Sequence, residues 1–167
     1  MAAEPFRPRA MLRVLVENNV DFVVVGGVAG SARGSAYVTH DLDIAYSRQP
    51  DNLERLAAVL DTIEARLRNA PADLPFRPDA ATLAAGAHFT LDTSLGPLDL
   101  LDRPDGSPPY AELLRRAGDP LTVDGVPVAV ASIDDLIAMK EATGRPRDRV
   151  VASELRMLAD EIREAEG

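Results

Sequence analysis

The chain contains no cysteine among its 167 residues. Disulfide bonds, thiol nucleophiles and cysteine-ligated zinc are therefore excluded, and a reducing compartment fits this composition. No apolar run approaches the roughly 20 residues that a membrane-spanning helix needs. Arginines interrupt the apolar residues near the N-terminus, so the continuous apolar segment of a signal peptide is also lacking. We expect a cytoplasmic protein without membrane contact.

Positive charge is scarce. The chain has 18 lysines and arginines against 27 aspartates and glutamates, and its formal net charge is −9. A general affinity for nucleic acid is not expected from this balance, so any RNA contact must be local. Lys140 is the only lysine. Ion pairs and phosphate contacts otherwise depend on the planar guanidinium groups of arginine.

Apolar residues are abundant enough for a folded core, at 46% of the chain. A chain of this length buries roughly 68–70% of the surface that its unfolded form exposes. We therefore expect residues 1–167 to form a single domain.

A β-branched run, Val23-Val24-Val25, leads into Gly26-Gly27 and then into a helical pattern over residues 28–33. The run predicts a buried strand. Glycines at a strand-to-helix turn allow the backbone to approach a ligand closely, and the N-terminus of a helix favours anions. We expect this turn to hold a phosphate group.

Asp41 and Asp43 are separated by Leu42 and followed by Ile44. Residues i and i+2 of a strand point to the same face, so both carboxylates are predicted to converge while the apolar side chains point to the core. Half-buried carboxylates are costly without a cation. This pair predicts a metal site.

A third carboxylate, Asp99, lies between leucines in the second arm of a predicted hairpin, residues 88–93 and 98–101. Mg²⁺ prefers oxygen ligands, and paired ions can stabilise both the attacking and the leaving oxygen in phosphoryl transfer. We expect Asp41, Asp43 and Asp99 to bind Mg²⁺ or Mn²⁺.

The order of these motifs resembles that of the polymerase beta-type nucleotidyltransferase superfamily, and more narrowly that of small bacterial AbiEii/MenT-like enzymes. The match extends from about residue 22 to residue 148. It rests on four segments: Gly26-Gly27-Val28-Ala29, Gly34 to Asp43 with its Thr39-His40-Asp41-Leu42-Asp43 end, Gly96-Pro97-Leu98-Asp99, and Ser132 to Asp148. Tyr37 departs from the pattern, because an arginine is usual there.

This resemblance implies an α+β fold in which helices pack against a mixed β-sheet and further helices follow at the C-terminus. It also implies an enzyme that transfers NMP from an NTP to an acceptor hydroxyl. The residues it implicates fall into two groups. Catalysis is assigned to Asp41, Asp43, Asp99 and Lys140, and nucleotide binding to Gly26, Gly27, Ser31, Arg33, Lys140 and Arg145.

The same resemblance indicates a toxin that modifies the 3′ end of tRNA and is restrained by a cognate antitoxin protein. Two arginine groups could contact a short RNA end: residues 145, 147 and 149, and residues 115 and 116. Modification of a protein, adenylylation included, or of an antibiotic is the alternative, as is a nucleotide-binding protein without turnover, which Tyr37 alone supports.

Several positions have a second interpretation. Gly30-Ser31-Ala32-Arg33-Gly34 resembles the phosphate motif of minimal nucleotidyltransferases and competes with Gly26-Gly27. Lys140 could simply be a lysine at a helix end. Asp148 could cap a helix or pair with arginine. His40 and His88 have no second histidine at metal-ligand spacing and are not expected to bind metal.

Other secondary structure follows from spacing and capping residues. Helices are predicted over 8–18, 53–68 with Asp51 as a cap, 110–117, from Ser132 to Gly144, and from Pro146 onward. Residues 69–79 are predicted to form a mobile loop. Asp124-Gly125 predicts a hairpin of residues 121–123 and 126–130 at a sheet edge.

Overall fold

A mixed β-sheet lies at the centre of the structure, a computed structural model that describes residues 4–71, 73–86 and 88–167. The strands of the described residues are β1 (Phe22–Val25), β2 (Leu42–Tyr46), β3 (Arg66–Leu67), β4 (His88–Thr93), β5 (Gly96–Leu101), β6 (Leu121–Val123) and β7 (Val126–Val128). The first five form one sheet in the order β1-β2-β5-β4-β3, and β6 pairs with β7.

Helices pack around this sheet. They are α1 (Pro8–Glu17), α2 (Gly26–Ala32), α3 (Pro50–Thr62), α4 (Ala80–Ala85), α5 (Tyr110–Ala117), α6 (Ile133–Ala142) and α7 (Pro146–Glu166). The predicted α+β class with a mixed sheet is confirmed. None of the described helices is both long and apolar enough to cross a bilayer.

The alternation of side chains along the central strands gives the sheet two different faces. Strands β2 and β5 run parallel, and the other pairs of the sheet are antiparallel. Leu42, Ile44, Leu98 and Leu100 are fully buried in the core. Their neighbours along the strands point the opposite way and stay partly open, as period-2 alternation requires.

The hairpin of β6 and β7 differs from its prediction. It forms a separate two-stranded sheet instead of an edge of the main sheet. The chain that follows it contacts β1, where Val24 donates its N–H to Ala129 at 2.9 Å and accepts from Ala131 at 3.0 Å. These hydrogen bonds pair the outer edge of β1, which is buried along its whole length.

Helix α3 ends at Thr62, six residues before the predicted end, so the prediction of helix through residue 68 is wrong. Glu64 adopts a left-handed conformation with φ of 55°. The N–H groups of Glu64 and Ala65 donate to the carbonyl groups of Asp61 and Leu60, which is the Schellman arrangement. Glycine usually occupies this position, and its absence hid the helix end. Arg66 and Leu67 then form the edge strand β3.

The ends of the other helices follow the sequence signals more closely. Helix α1 stops at Glu17, and α5 has its predicted bounds. Ser132 caps α6 by accepting the N–H of Asp135 at 3.1 Å. Gly144 has φ of +69°, and Pro146 begins α7. Asp51 does not cap α3, whose N-cap position is Gln49.

Residues 69–71 and 73–79 contain no helix or strand, in agreement with the predicted connection between elements. Ala72 lies outside the described residues. The mobility predicted for this loop stays a prediction.

Candidate active site

The parallel pairing of β2 with β5 places Asp43 directly opposite Asp99. Both side chains point to the open face of the sheet because their neighbours fill the core. The predicted partnership of these two carboxylates is therefore a consequence of strand register. A shift of one residue would turn one of them into the core.

Asp41 completes the cluster from the residue just before β2, instead of from within the strand as predicted. One carboxylate oxygen from each of Asp41, Asp43 and Asp99 lies within 4.8 Å of the others, and all three residues are half-buried. Thr39 donates its hydroxyl to Asp41 Oδ1 at 2.9 Å. This hydrogen bond orients the carboxylate that β2 itself does not hold.

Gly26 is required by the position of Asp43. Val25 pairs with Asp43 across β1 and β2, and the chain then turns into α2 with Gly26 at φ of +67°. A Cβ atom at Gly26 would lie 2.0 Å from Asp43 Oδ2. At Gly27, a Cβ atom would lie 2.6 Å from the Cβ of Thr39. The Gly-Gly pair thus brings the backbone of α2 against the carboxylate cluster.

The carboxylates of this cluster disfavour one another's ionisation. Burial, followed by the charges of Asp41 and Asp99, raises the pKa of Asp43 to about 8, while Lys140 opposes the shift. Burial also raises the pKa of Asp99, although Arg68 opposes that change. A cation would remove this penalty, because it favours the ionised form of every carboxylate near it. The oxygen donors and their mutual repulsion therefore fit Mg²⁺ or Mn²⁺.

A cavity of about 640 Å³ opens over the cluster. Its walls include most of the predicted site residues, which come from α2, β2 and the residue before it, β5 and the α6–α7 region: Gly26, Gly27, Asp41, Asp43, Asp99, Lys140 and Arg145. Gly30 and Tyr37 also line it, as does His88. Elements far apart in sequence thus bring carboxylates and cations to one cavity.

Asp148 organises the cationic wall. Its side chain is buried and lies 3.6 Å from Lys140 Nζ and 2.8 Å from Arg145 Nε. Thr143 donates its hydroxyl to Asp148 Oδ2 at 2.7 Å. Burial tends to raise the pKa of Asp148, but these hydrogen bonds and charges outweigh it and lower the pKa. Asp148 therefore stays ionised and holds both cations beside the cavity.

Two predicted nucleotide-binding residues do not line this cavity. The guanidinium of Arg33 donates to the carbonyl groups of Ala117, Val130 and Ala131 at distances from 2.8 to 3.1 Å. Ser31 donates its hydroxyl to the carbonyl of Tyr37 at 3.0 Å. Arg33 thus stabilises the backbone that leads into α6, and Ser31 stabilises the loop before β2.

Arg68 is a site residue that sequence reasoning missed. It donates from Nη2 to Asp99 Oδ1 at 3.0 Å and from Nε to Asp92 Oδ1 at 3.1 Å. The sequence had assigned it to the end of a helix, and no glycine or proline marked the turn that makes it an extension of β3. The alternation of Arg66, Leu67 and Arg68 was the available signal.

The fold matches that of the antibiotic-resistance factor ANT(2″)-Ia in a solution structure, with a TM-score of 0.55 and 18% identity over 95% of this chain and 90% of that chain. A crystal structure of ANT(2″)-Ia in complex with adenylyl-2″-tobramycin gives a TM-score of 0.56 and 17% identity over 95% and 96% of the two chains. The chain has a nucleotidyltransferase fold. No protein-family model and no curated protein sequence matches it.

The contact between Gly26 and Asp43 gives a first prediction. Gly26→Ala should lose the stabilisation that Mg²⁺ gives the wild type in thermal unfolding, because the new methyl group and Asp43 Oδ2 would occupy the same space. Gly144→Ala is the matched control. It has nearly the same φ, +69°, but nothing lies within 4 Å of its Cβ position. This control should lose about 1–2 kcal/mol of stability and keep the response to Mg²⁺. An unchanged response in Gly26→Ala would contradict the prediction.

The raised pKa of Asp43 gives a second prediction. A carboxyl whose pKa is about 8 when folded and 3.8 when unfolded destabilises the fold as pH rises between these values. Without metal, the unfolding temperature should therefore fall between about pH 5 and pH 8, and Mg²⁺ should reduce that fall. The measurement is thermal unfolding across pH, with chelator and with Mg²⁺.

Asp43→Asn is the control for this pH dependence. Without metal it should flatten the fall in unfolding temperature, because the titrating carboxyl is gone. An equal slope in the wild type and in Asp43→Asn would show that Asp43 is not the source.

Proposed function

We propose that this chain is a metal-dependent nucleotidyltransferase, formed as one domain over residues 1–167, that moves NMP from an NTP to an acceptor hydroxyl. The observation that carries the proposal is the convergence of Asp41, Asp43 and Asp99 within 4.8 Å on the wall of a cavity. The nucleotidyltransferase fold supports it independently. We assign the activity to the cytoplasm, where NTP is available.

Asp41, Asp43 and Asp99 would hold Mg²⁺ or Mn²⁺. When bound, such ions polarise phosphoryl oxygens and stabilise the charge on the attacking and leaving oxygens. Gly26 and Gly27 let the backbone at the start of α2 lie against Asp43 and Thr39 on the cavity wall, where it could contact phosphate oxygens. Lys140 and Arg145 offset the negative charge of the NTP, which three aspartates would otherwise repel.

The transfer step forms one bond and breaks one. The acceptor oxygen bonds to the α-phosphorus, the bond from that phosphorus to the bridging oxygen breaks, and pyrophosphate leaves. The proton of the acceptor hydroxyl passes to a carboxylate of the cluster. Asp99 is our candidate, because its carboxylate lines the cavity beside Asp43.

We further propose the 3′ end of tRNA as the acceptor and a cognate antitoxin as a partner. Support comes from the motif resemblance and from Arg145 and Arg147, which both line the cavity. Arg149 is exposed close by. Arg115 and Arg116 are weaker candidates for RNA contact, because they form ion pairs with Glu112, and Arg116 also with Asp135. RNA contact would then be confined to a short end near α7.

An aminoglycoside is the second candidate acceptor. One observation favours it: the structure of ANT(2″)-Ia that matches this fold over 96% of its own length is a complex with adenylyl-2″-tobramycin. A small acceptor would need no extended basic surface, which fits the net charge of −9.

Transfer assays separate these acceptors. Each α-labelled NTP is incubated with the protein, Mg²⁺ or Mn²⁺, and either tRNA, tobramycin or a protein extract. We expect label on tRNA 3′ ends. Asp41→Ala should lower the rate more than about 100-fold, because a direct metal ligand matters at least as much as the residues that orient it. Asp61→Ala, at an exposed carboxylate of α3, should transfer like the wild type.

The outcomes of this assay are distinct. Label on tobramycin with unmodified tRNA would favour the second candidate, and label on protein would indicate a protein-modifying enzyme. If no acceptor is labelled with either metal, and Asp41→Ala binds NTP like the wild type, the enzyme proposal is wrong.

Lys140 provides a separate test of the nucleotide-binding wall. Lys140→Ala should weaken NTP binding roughly 10-fold or more, because a hydrogen bond to a charged group contributes about 1.5–3 kcal/mol. Binding is measured by calorimetry with a non-hydrolysable NTP. Arg163→Ala is the control, since the ion pairs of Arg163 with described residues are to exposed carboxylates of α6 and α7. Equal affinity in wild type and Lys140→Ala would remove Lys140 from the site.

A further inference from the structure

Arg68 reaches the carboxylate cluster from the edge of the sheet. Its backbone N–H donates to Thr90 at 2.9 Å, which continues the pairing of β3 with β4. Its guanidinium donates to the carbonyl of Leu91 at 2.7 Å and to Asp92 Oδ1 at 3.1 Å. These contacts hold the guanidinium in one orientation without any help from Asp99.

The remaining contact of this guanidinium is with Asp99 Oδ1, at 3.0 Å. Apart from Arg68, the described residues offer Asp99 only the carboxyl of Asp43 as a hydrogen-bond partner. Arg68 thus engages Oδ1 of Asp99, and Asp99 shares the carboxylate cluster with Asp41 and Asp43. Both side chains are about four-fifths buried, at 23% and 21% exposure, so solvent screens this pair only in part.

We infer that Arg68 is a positioning residue that binds Oδ1 of Asp99 and thereby orients this carboxylate toward a divalent cation shared with Asp41 and Asp43. This inference rests on the proposed function. It assigns a role to β3, a strand of only two residues. The strand leads directly into Arg68, whose guanidinium contacts Asp99.

Arginine suits this position better than lysine. A guanidinium has donors in a fixed planar fork, so a single side chain can bind Asp92, Leu91 and Asp99 together. The ammonium of lysine would supply the charge without the fork. The charge and the orientation can therefore be separated by substitution.

The test compares Arg68→Met, Arg68→Lys and a matched control, Arg66→Met. The control removes the same charge from the same strand, where Arg66 is exposed and forms no ion pair with a described residue. Binding of Mn²⁺ alone is measured by calorimetry, without nucleotide, and transfer is measured separately as a function of Mn²⁺.

We expect Arg68→Met to bind Mn²⁺ roughly 10- to 100-fold more weakly, the usual effect of losing a residue that orients a metal ligand. Arg68→Lys should lie between Arg68→Met and the wild type, and Arg66→Met should match the wild type. Transfer by Arg68→Met should recover in part at high Mn²⁺, because the missing contact affects metal binding. Wild-type affinity for Mn²⁺ in Arg68→Met would overturn the inference.

A second variant covers the case in which Arg68→Met fails to fold, which thermal unfolding would reveal. Asp92→Asn keeps the contact of Arg68 with Asp99 but weakens the contact that holds the guanidinium at Nε. Mn²⁺ binding should therefore weaken, but less than in Arg68→Met. Unchanged binding there would also overturn the inference. A wild type that binds no Mn²⁺ would refute the metal site itself. A wild type that binds Mn²⁺ and transfers NMP, together with an unchanged Arg68→Met, would refute only the role of Arg68.

Discussion

Mutual repulsion among three half-buried carboxylates is the constraint on which the rest of the site depends. Asp41, Asp43 and Asp99 lie closer together than their charges favour, and burial raises the cost further. The core of the sheet keeps them there, because releasing Asp43 or Asp99 would disturb the packing of the leucines and isoleucine beside them in β2 and β5. Stability of the core thus offsets strain at the site.

The three carboxylates of the cluster differ in their polar contacts. Thr39 orients Asp41, and Arg68 binds one oxygen of Asp99. Asp43 has Gly26 against it and receives no such donor among the described residues, which is consistent with its having the strongly raised pKa. The carboxylate of Asp43 is therefore the one that gains most from a bound cation.

Carboxylates outnumber cations among the residues that line the cavity. Asp148 holds Lys140 and Arg145 beside the cavity, so these cations are ordered before any phosphate arrives. Such ordering lowers the entropic cost of binding, at the expense of a competing anion beside each cation. Arg33 shows the other use of arginine in this lysine-poor chain, since it satisfies three backbone carbonyl groups between α5 and α6.

The sequence by itself determined the elements whose signals are local. The apolar run of β1, the Gly26-Gly27 turn, the hairpin of β4 and β5, the Ser132 cap and the Pro146 start all follow from side-chain periodicity or backbone chemistry within a few residues. The same local pattern led to Asp41, Asp43 and Asp99, because alternation along a strand decides which side chains share a face. The motif resemblance added Lys140 and Arg145 to the cavity wall.

Tertiary structure decided the features that depend on residues distant in sequence. The end of α3 depends on a left-handed conformation at Glu64, which the sequence does not indicate because glycine is usual there. This turn places Arg68 next to Asp99, 31 residues away. Arg33 lies away from the cavity because carbonyl groups 84 to 98 residues later need its donors. Local patterns cannot reveal such partners, since the pairing of a charge depends on which buried acceptors the fold brings within hydrogen-bonding distance.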